Sequence, residues 1–208
     1  MDRLSDSGTL LELAVLGMLN EQPAHGYELR HRLEGLFGDM IGASWGTLYP
    51  TLGRLERAGL ISATGTERKS DSPRLAGSLK AEFALTRLVT GERNTRSKKV
   101  YTATARGSSA LAERLMRLDA RDRRAFWVGA VFAPHVDEAI MSRLLTDRIL
   151  ALQLQIRQLD AAANDISPSM KIPVHGLRED LVSQSRWCKE CLGEMDLHAG
   201  SPQSKGEI

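Results

Sequence analysis

Residues Ala43–Ile61 read ASWGTLYPTLGRLERAGLI, and the rest of the chain is best understood outward from this segment. Leu48, Leu52 and Leu55 recur at intervals of four and three, the spacing of one face of an α-helix. Gly59 stands where a left-handed residue would close that helix. Ser44 or Thr47 can cap the start, and Pro50 favours the later cap. A proline in the first turn removes a donor that has no intrahelical partner, whereas deeper in the helix it costs about 3 kcal/mol. The helix is therefore expected to become regular near Thr47. With the leucines turned inward, Thr47, Thr51 and Arg54 are expected to share the opposite face, with Pro50 and Arg57 beside them.

Two helices are predicted before this one. TLLELAVLGMLN, residues 9–20, shows helical recurrence of apolar residues until EQPAHG stops it with a proline and a glycine; HGYELRHRLEGLF places Leu29, Leu33 and Leu36 on one side. Two β-prone segments follow the third helix, Leu60–Thr64 and Lys98–Thr104, and they are expected to pair as an antiparallel ribbon. Between them lies a polar insertion of about residues 65–97, too long for an ordinary hairpin loop and expected to be largely mobile, with SLKAEFALTRLV as its one helix-prone piece.

From Ser108 the periodicity is helical again. In a long helix from Val136 to about Ala163, Met141, Leu145, Ile149, Leu152, Ile156 and Leu159 form a seam with the spacing of a coiled coil. A last helix, from His175 to about Leu197, carries Leu177, Leu181, Cys188, Leu192 and Met195. The expected fold is mostly α. Residues 1–8 are read as a disordered start, 9–107 as a winged helix-turn-helix with a two-stranded wing, 108–198 as a helical dimerisation domain and 199–208 as a disordered tail. Burial of the leucine and isoleucine seam, together with Leu10 and Leu13 of the first helix, would drive pairing of two copies.

Composition bounds the function. The 208 residues are 42% hydrophobic and 26% charged, values of a globular chain. Apolar runs reach about ten residues, short of the roughly 20 that cross a bilayer, and MDRLSDSG does not have the basic start of a signal peptide, so a cytoplasmic protein is expected. The net charge is only +2, yet Arg68–Lys99 holds nine basic and three acidic residues, a local excess suited to phosphates. No nucleophile motif, phosphate-binding glycine loop or H-E-x-x-H occurs, so no catalytic residue, metal site or cofactor is expected.

Three helices followed by a ribbon is the order of elements in a winged helix-turn-helix, whose third helix enters the major groove of DNA while the ribbon touches flanking backbone. Small residues near the helix start allow close approach to base edges, and arginines near its end reach phosphates or a guanine edge. The expected DNA contacts are Ser44, Thr47, Tyr49, Pro50, Thr51, Arg54 and Arg57, with Arg96, Lys98 and Lys99 from the wing. A double-stranded operator with inverted half-sites follows from a paired protein.

The wording of these segments also resembles a known family. LAVLGMLNEQPAHGYELRHRLEGLFG, SWGTLYPTLGRLERAGLI and KKVYTATARG are similar to the PadR family of bacterial transcriptional regulators, over about half the chain. FWVGAVFAPHVDEAIMSRLL and SRWCKECL further resemble the C-terminal helices of a longer subgroup. The resemblance implies a homodimeric repressor that leaves its operator when a small molecule or other signal binds. It implies that Tyr49 lies near DNA, and that His25, Tyr27 and Glu28 set the entry of the second helix. Family wings are usually short, so the insertion departs from the pattern, as does Trp45 where a tyrosine is common.

Trp45, Phe126, Trp127 and Phe132 are expected to line an effector cavity, with plain core packing as the alternative. Cys188 and Cys191 form a C-x-x-C well inside a helix, away from the helix N-terminus that lowers a thiol pKa, so packing is expected to outweigh redox or metal sensing. Two other functions stand beside DNA-binding repression: a winged helix that docks a protein partner, and a regulator that responds through those two thiols.

Overall fold

A computed structural model describes residues 7–65 and 99–199. Helix α1, Ser7–Glu21, leads to a short strand β1, Ala24–His25, and to α2, Gly26–Phe37. After a 3-10 turn over Gly38–Ile41 comes α3, Trp45–Arg57, then strands β2, Ile61–Thr64, and β3, Val100–Ala103. Helices α4, Ala105–Met116, α5, Arg123–Phe132, α6, Glu138–Ala162, and α7, Lys171–Ala199, complete the described chain. It is mostly helical, with a small antiparallel sheet in its N-terminal half and long helices at its C-terminal end. The expected wing insertion, the helix-prone piece within it and most of the two expected disordered ends lie outside the described residues.

Helix α1 is the hub of the core. Leu10, Leu11, Leu13, Ala14, Val15, Leu16, Met18 and Leu19 are all buried, because LLELAVLGML is apolar around nearly its whole circumference and packs against α2, α3, α4, α5 and β3. This corrects the expectation that Leu10 and Leu13 serve pairing of copies: at 0% and 2% exposure they are used up inside the protomer. Gly17 lets α5 approach closely, since a Cβ there would lie 2.4 Å from the Phe132 ring.

The ribbon forms with β2 and β3 antiparallel, Ile61 opposite Ala103 and Thr64 opposite Val100. The sequence reading missed β1, which adds to the other edge of β3 to give the order β1-β3-β2. Two residues are too short for a period-2 signal. Helix α4 begins at Ala105, earlier than expected, with Thr104 as its cap: the Thr104 hydroxyl accepts from the Gly107 amide and donates to the Gly59 carbonyl at 2.8 Å. The domain boundary expected between residues 107 and 108 therefore falls inside a single helix.

Toward the C-terminus, α6 and α7 run along each other. The buried face of α6 comprises Ile140, Met141, Leu144, Leu145, Arg148, Ala151 and Leu152. The expected seam is thus followed as far as Leu152, whereas Ile149, Ile156 and Leu159 are half-buried. Met141, Leu145 and Leu152 are spent on the protomer's own core, against the expectation that the seam pairs two copies. Leu177 of α7 is exposed, while Leu181 and Leu192 are partly covered by the core.

Candidate nucleic-acid interface

Helix α3 starts at Trp45 with Ser44 as its N-cap, not near Thr47. The reason is that Thr47 acts as the third helical residue of a reciprocal cap. Its hydroxyl accepts from the Ser44 amide at 3.0 Å and donates to the Gly42 carbonyl at 2.6 Å. Pro50 then falls in the second turn and leaves the Gly46 carbonyl without its usual i+4 donor. Both residues are exposed, so water can satisfy that carbonyl. The helix ends as expected, at Gly59 with φ of 69°. The Leu60 amide reaches back to Leu55 and the Gly59 amide to Glu56, closing a Schellman motif.

Leu48, Leu52 and Leu55 face inward, as the spacing required. Thr51, expected on the opposite face, is 1% exposed and belongs to the buried side. At about 100° per residue it lies only about 40° around the helix from Leu55. Its hydroxyl donates to the Thr47 carbonyl at 2.8 Å and accepts from Arg54 Nη2 at 3.0 Å, so it braces the helix instead of facing solvent.

The side opposite the leucines carries Gly46, Pro50, Gly53 and Arg57, spaced four, three and four. Gly46 and Gly53 were not singled out by the sequence reading. Among the described residues a Cβ built on Gly53 meets nothing within 4 Å, and one on Gly46 meets only the Ser44 hydroxyl at 3.8 Å. The protomer's own packing therefore does not require glycine at either place, although glycine within a helix costs about 1 kcal/mol relative to alanine. What such a stripe provides is a helix backbone that an outside surface can approach closely. The signal was present in the sequence, but reading it needed the true phase of the helix.

Arg57 ends the stripe, exposed, with Nε donating to the Gly53 carbonyl at 3.1 Å. Arg54 lies on the flank toward α1. Its Nε meets Glu12 Oε1 at 3.0 Å, while Arg114 of α4 meets Glu12 Oε2 at 3.1 Å. One carboxylate thus ties α3 and α4 to α1. Ser44 is exposed at the helix start, its hydroxyl 3.1 Å from that of Thr47.

Tyr49 is half-buried. It stacks on Trp45 with ring centroids 5.6 Å apart, and its ring fills the space over Gly26, where a Cβ would come within 3.1 Å. Trp45 in turn stacks on Tyr27 and holds the Arg30 guanidinium over its ring at 4.6 Å. The H-G-Y-E segment has mechanical roles throughout. Glu28 accepts from the His25 amide at 3.0 Å, and the His25 ring nitrogen lies 3.2 Å from the Lys99 carbonyl, joining α2 to the wing. Lys99 Nζ sits 3.3 Å from Glu56 of α3. Arg96 and Lys98 lie outside the described residues.

The four residues expected to line an effector cavity are not gathered into one. Trp45 belongs to the Tyr27–Tyr49 stack, Phe132 packs against Phe37 under α1, and Phe126 and Trp127 group with Trp187. Tertiary contacts scatter them because they face different neighbours. Cys188 is fully buried and its thiol is pushed up to about 11 by loss of solvation; Cys191 is also shifted upward by burial and then by Glu194 and Glu190. Among the described residues no group of three His, Cys, Asp or Glu side chains is placed to hold a metal, and no helix is long and apolar enough to cross a membrane.

Residues 15–76, which include all of α2 and α3, match the transcriptional regulator PadR-like family. Over that segment the chain is similar to PadR-like transcriptional regulators. No curated protein matches it. Similar solved structures include Bacillus subtilis PadR in complex with operator DNA, 21% identical, covering 89% of this chain and 94% of that one at a TM-score of 0.37. The same B. subtilis protein in complex with p-coumaric acid is 20% identical over 90% and 99%, at 0.36. A PadR-like regulator from Bacillus cereus is 19% identical over 90% and 99%, at 0.34. No residue role follows from likeness at that level.

Proposed function

We propose that this PadR-like regulator is a homodimeric repressor that lays α3 into the major groove of an operator and is released from it by an effector. The observation that carries the groove reading is the outward stripe of α3, Gly46, Pro50, Gly53 and Arg57, whose two glycines the chain does not need for its own packing. Side chains of minimal bulk let the helix backbone come close to base edges, and Arg57 then reaches a guanine edge or a phosphate. Ser44, Thr47 and Tyr49 flank the helix start and Arg54 flanks its end. Lys99 anchors the wing to α3 through Glu56, and Arg96 and Lys98, outside the described residues, are further candidates for phosphate contacts.

Pairing of copies is assigned to residues 108–198. Support comes from apolar side chains that α6 and α7 leave in solvent: Leu150 and Leu154 at 59% and 48% exposure, one helical turn apart, and Leu177 on α7. These replace the buried seam leucines as the residues that meet a second copy. Two α3 helices in a symmetric pair read inverted half-sites about one helical turn apart.

The experiment begins by selecting genomic fragments that the full chain retains. Arg57→Ala should then weaken binding to the recovered operator and reduce the slope of log K against log salt by about one. Dimer mass should not change. Salt-independent retention of any duplex would favour docking to a protein partner over DNA recognition and would refute the proposal.

A further inference from the structure

The hydroxyl of Thr51 is buried, yet one of its two partners reaches solvent. Thr51 shares the covered side of α3 with Leu48, Leu52 and Leu55. A hydroxyl has one hydrogen to donate and two lone pairs to offer. The hydrogen goes to the Thr47 carbonyl, one turn back in the same helix, and that bond alone satisfies the group as a donor. Its acceptor side is thereby turned away from the helix axis, and Arg54 Nη2 lies 3.0 Å from it. The Arg54 side chain is 47% exposed, so a fixed point inside the fold holds a cation at the surface.

A guanidinium is planar, with its N–H donors in fixed directions. In Arg54 two anchors fix that plane: Glu12 Oε1 accepts from Nε and Thr51 Oγ1 accepts from Nη2, each at 3.0 Å. Nη1, at the far end of the fork, has no hydrogen bond among the described residues. Glu12 does not cancel the charge it anchors, because Arg114 holds its other oxygen at 3.1 Å. Two guanidiniums share one carboxylate, and the trio keeps one net positive charge, two arginines less one glutamate. The place of this cation also matters. A helix with its side chains is about 10–12 Å across and the major groove about 12 Å wide, so a helix lying there turns its flanks to the phosphate walls. Arg54 is on such a flank, about 100° around α3 from Gly53 on the outward stripe.

We propose that Thr51 is a positioning residue for operator binding, an assignment that rests on the placement of α3 in the groove: its buried hydroxyl, together with Glu12, presets the Arg54 guanidinium so that the Nη1 end receives a backbone phosphate. Thr51 itself touches no DNA. A long basic side chain loses rotamer freedom when it meets a phosphate, and one already held at two points loses less, so the hydroxyl contributes affinity without a contact of its own. The phosphate contact fixes the register of α3 in the groove and carries no base preference.

The test is a double-mutant cycle on the full chain, titrated against the selected operator as a labelled duplex at several salt concentrations. Thr51→Val removes the hydroxyl and keeps the branched shape; affinity should fall about fivefold or more with helical circular dichroism unchanged. Thr51→Ser keeps the hydroxyl and should bind within about twofold of the parent chain. Arg54→Ala should weaken binding and reduce the slope of log K against log salt by about one, and in that background Thr51→Val should have no further effect. Should Thr51→Val fail to fold, Thr51→Ala, also without the hydroxyl and with a stronger helix propensity, takes its place in the cycle. Unchanged affinity on loss of the hydroxyl, no recovery with Thr51→Ser, or an equal loss with and without Arg54 would overturn the positioning role while leaving α3 in the groove. Absent or salt-independent operator binding by the parent chain would refute the groove placement and this role with it, and that outcome is read before any variant is compared.

Discussion

Replacing Gly53 with alanine should make the protein more stable and a poorer DNA binder at once. The helix around Gly53 is regular, and the added methyl group meets no atom of the chain within 4 Å. No clash opposes the change and no burial rewards it, so the stability effect reduces to backbone propensity, about 1 kcal/mol in favour of alanine. For a chain of this length that raises the midpoint of thermal unfolding by roughly 2–4 °C. The same methyl stands on the side of α3 opposite Leu48, Leu52 and Leu55, where the proposed groove contact is closest. A methyl group forced into a close-packed contact costs typically 1–3 kcal/mol, which corresponds to roughly a 5- to 150-fold loss of affinity. Calorimetry gives the first quantity and a gel-shift titration on the selected operator gives the second, on one preparation. If Gly53→Ala gains stability and binds the operator with unchanged affinity, the backbone at that position does not approach DNA and the phase assigned to the recognition face is wrong. Gly46→Ala should act in the same direction, with a smaller stability gain because it lies in the first turn.

Other outcomes follow from the same structure. Gly107→Ala would bring a methyl group within 2.0 Å of the Leu60 carbonyl oxygen, a backbone atom that cannot yield, and should cost about 3 kcal/mol or more by chemical denaturation. Glu12→Gln removes the carboxylate shared by Arg54 and Arg114; the pairs are partly exposed, so unfolding free energy should fall by no more than about 1 kcal/mol while operator affinity shifts through the released Arg54. Cys188, with its thiol near 11, should have roughly 0.1% thiolate at pH 8 and react with iodoacetamide far more slowly than a free thiol. The sign of the linked stability is also fixed: the unfolded thiol ionises at lower pH than the folded one, so the contribution is present below about pH 9 and is lost as pH rises toward 11. Fast alkylation of Cys188 in the folded protein at pH 8 would restore the thiol-sensing reading.

Much of the fold was legible because its signals are local. The leucine intervals of α2, α3 and α6 placed those helices, Gly59 marked the end of α3, and the order of helices and strands identified the N-terminal half before any contact was known. Where the sequence misled, two local rules competed and tertiary contacts chose between them. Pro50 argued for a late cap, yet the Ser44–Thr47 exchange won because it satisfies the first amides of the helix. Intervals of four and three pass through Thr47, Thr51 and Arg54 as readily as through the leucines, and a helix has several such stripes. What the sequence by itself determined is which segments are helices and strands and which single stripe of α3 is apolar, since propensity and periodicity act within a few residues. Only the tertiary structure decided which face lies opposite the core, which leucines stay exposed, and that Arg148 is buried with no ion pair among the described residues. Those properties depend on what approaches each helix from residues distant in sequence, and periodicity carries no record of the neighbour.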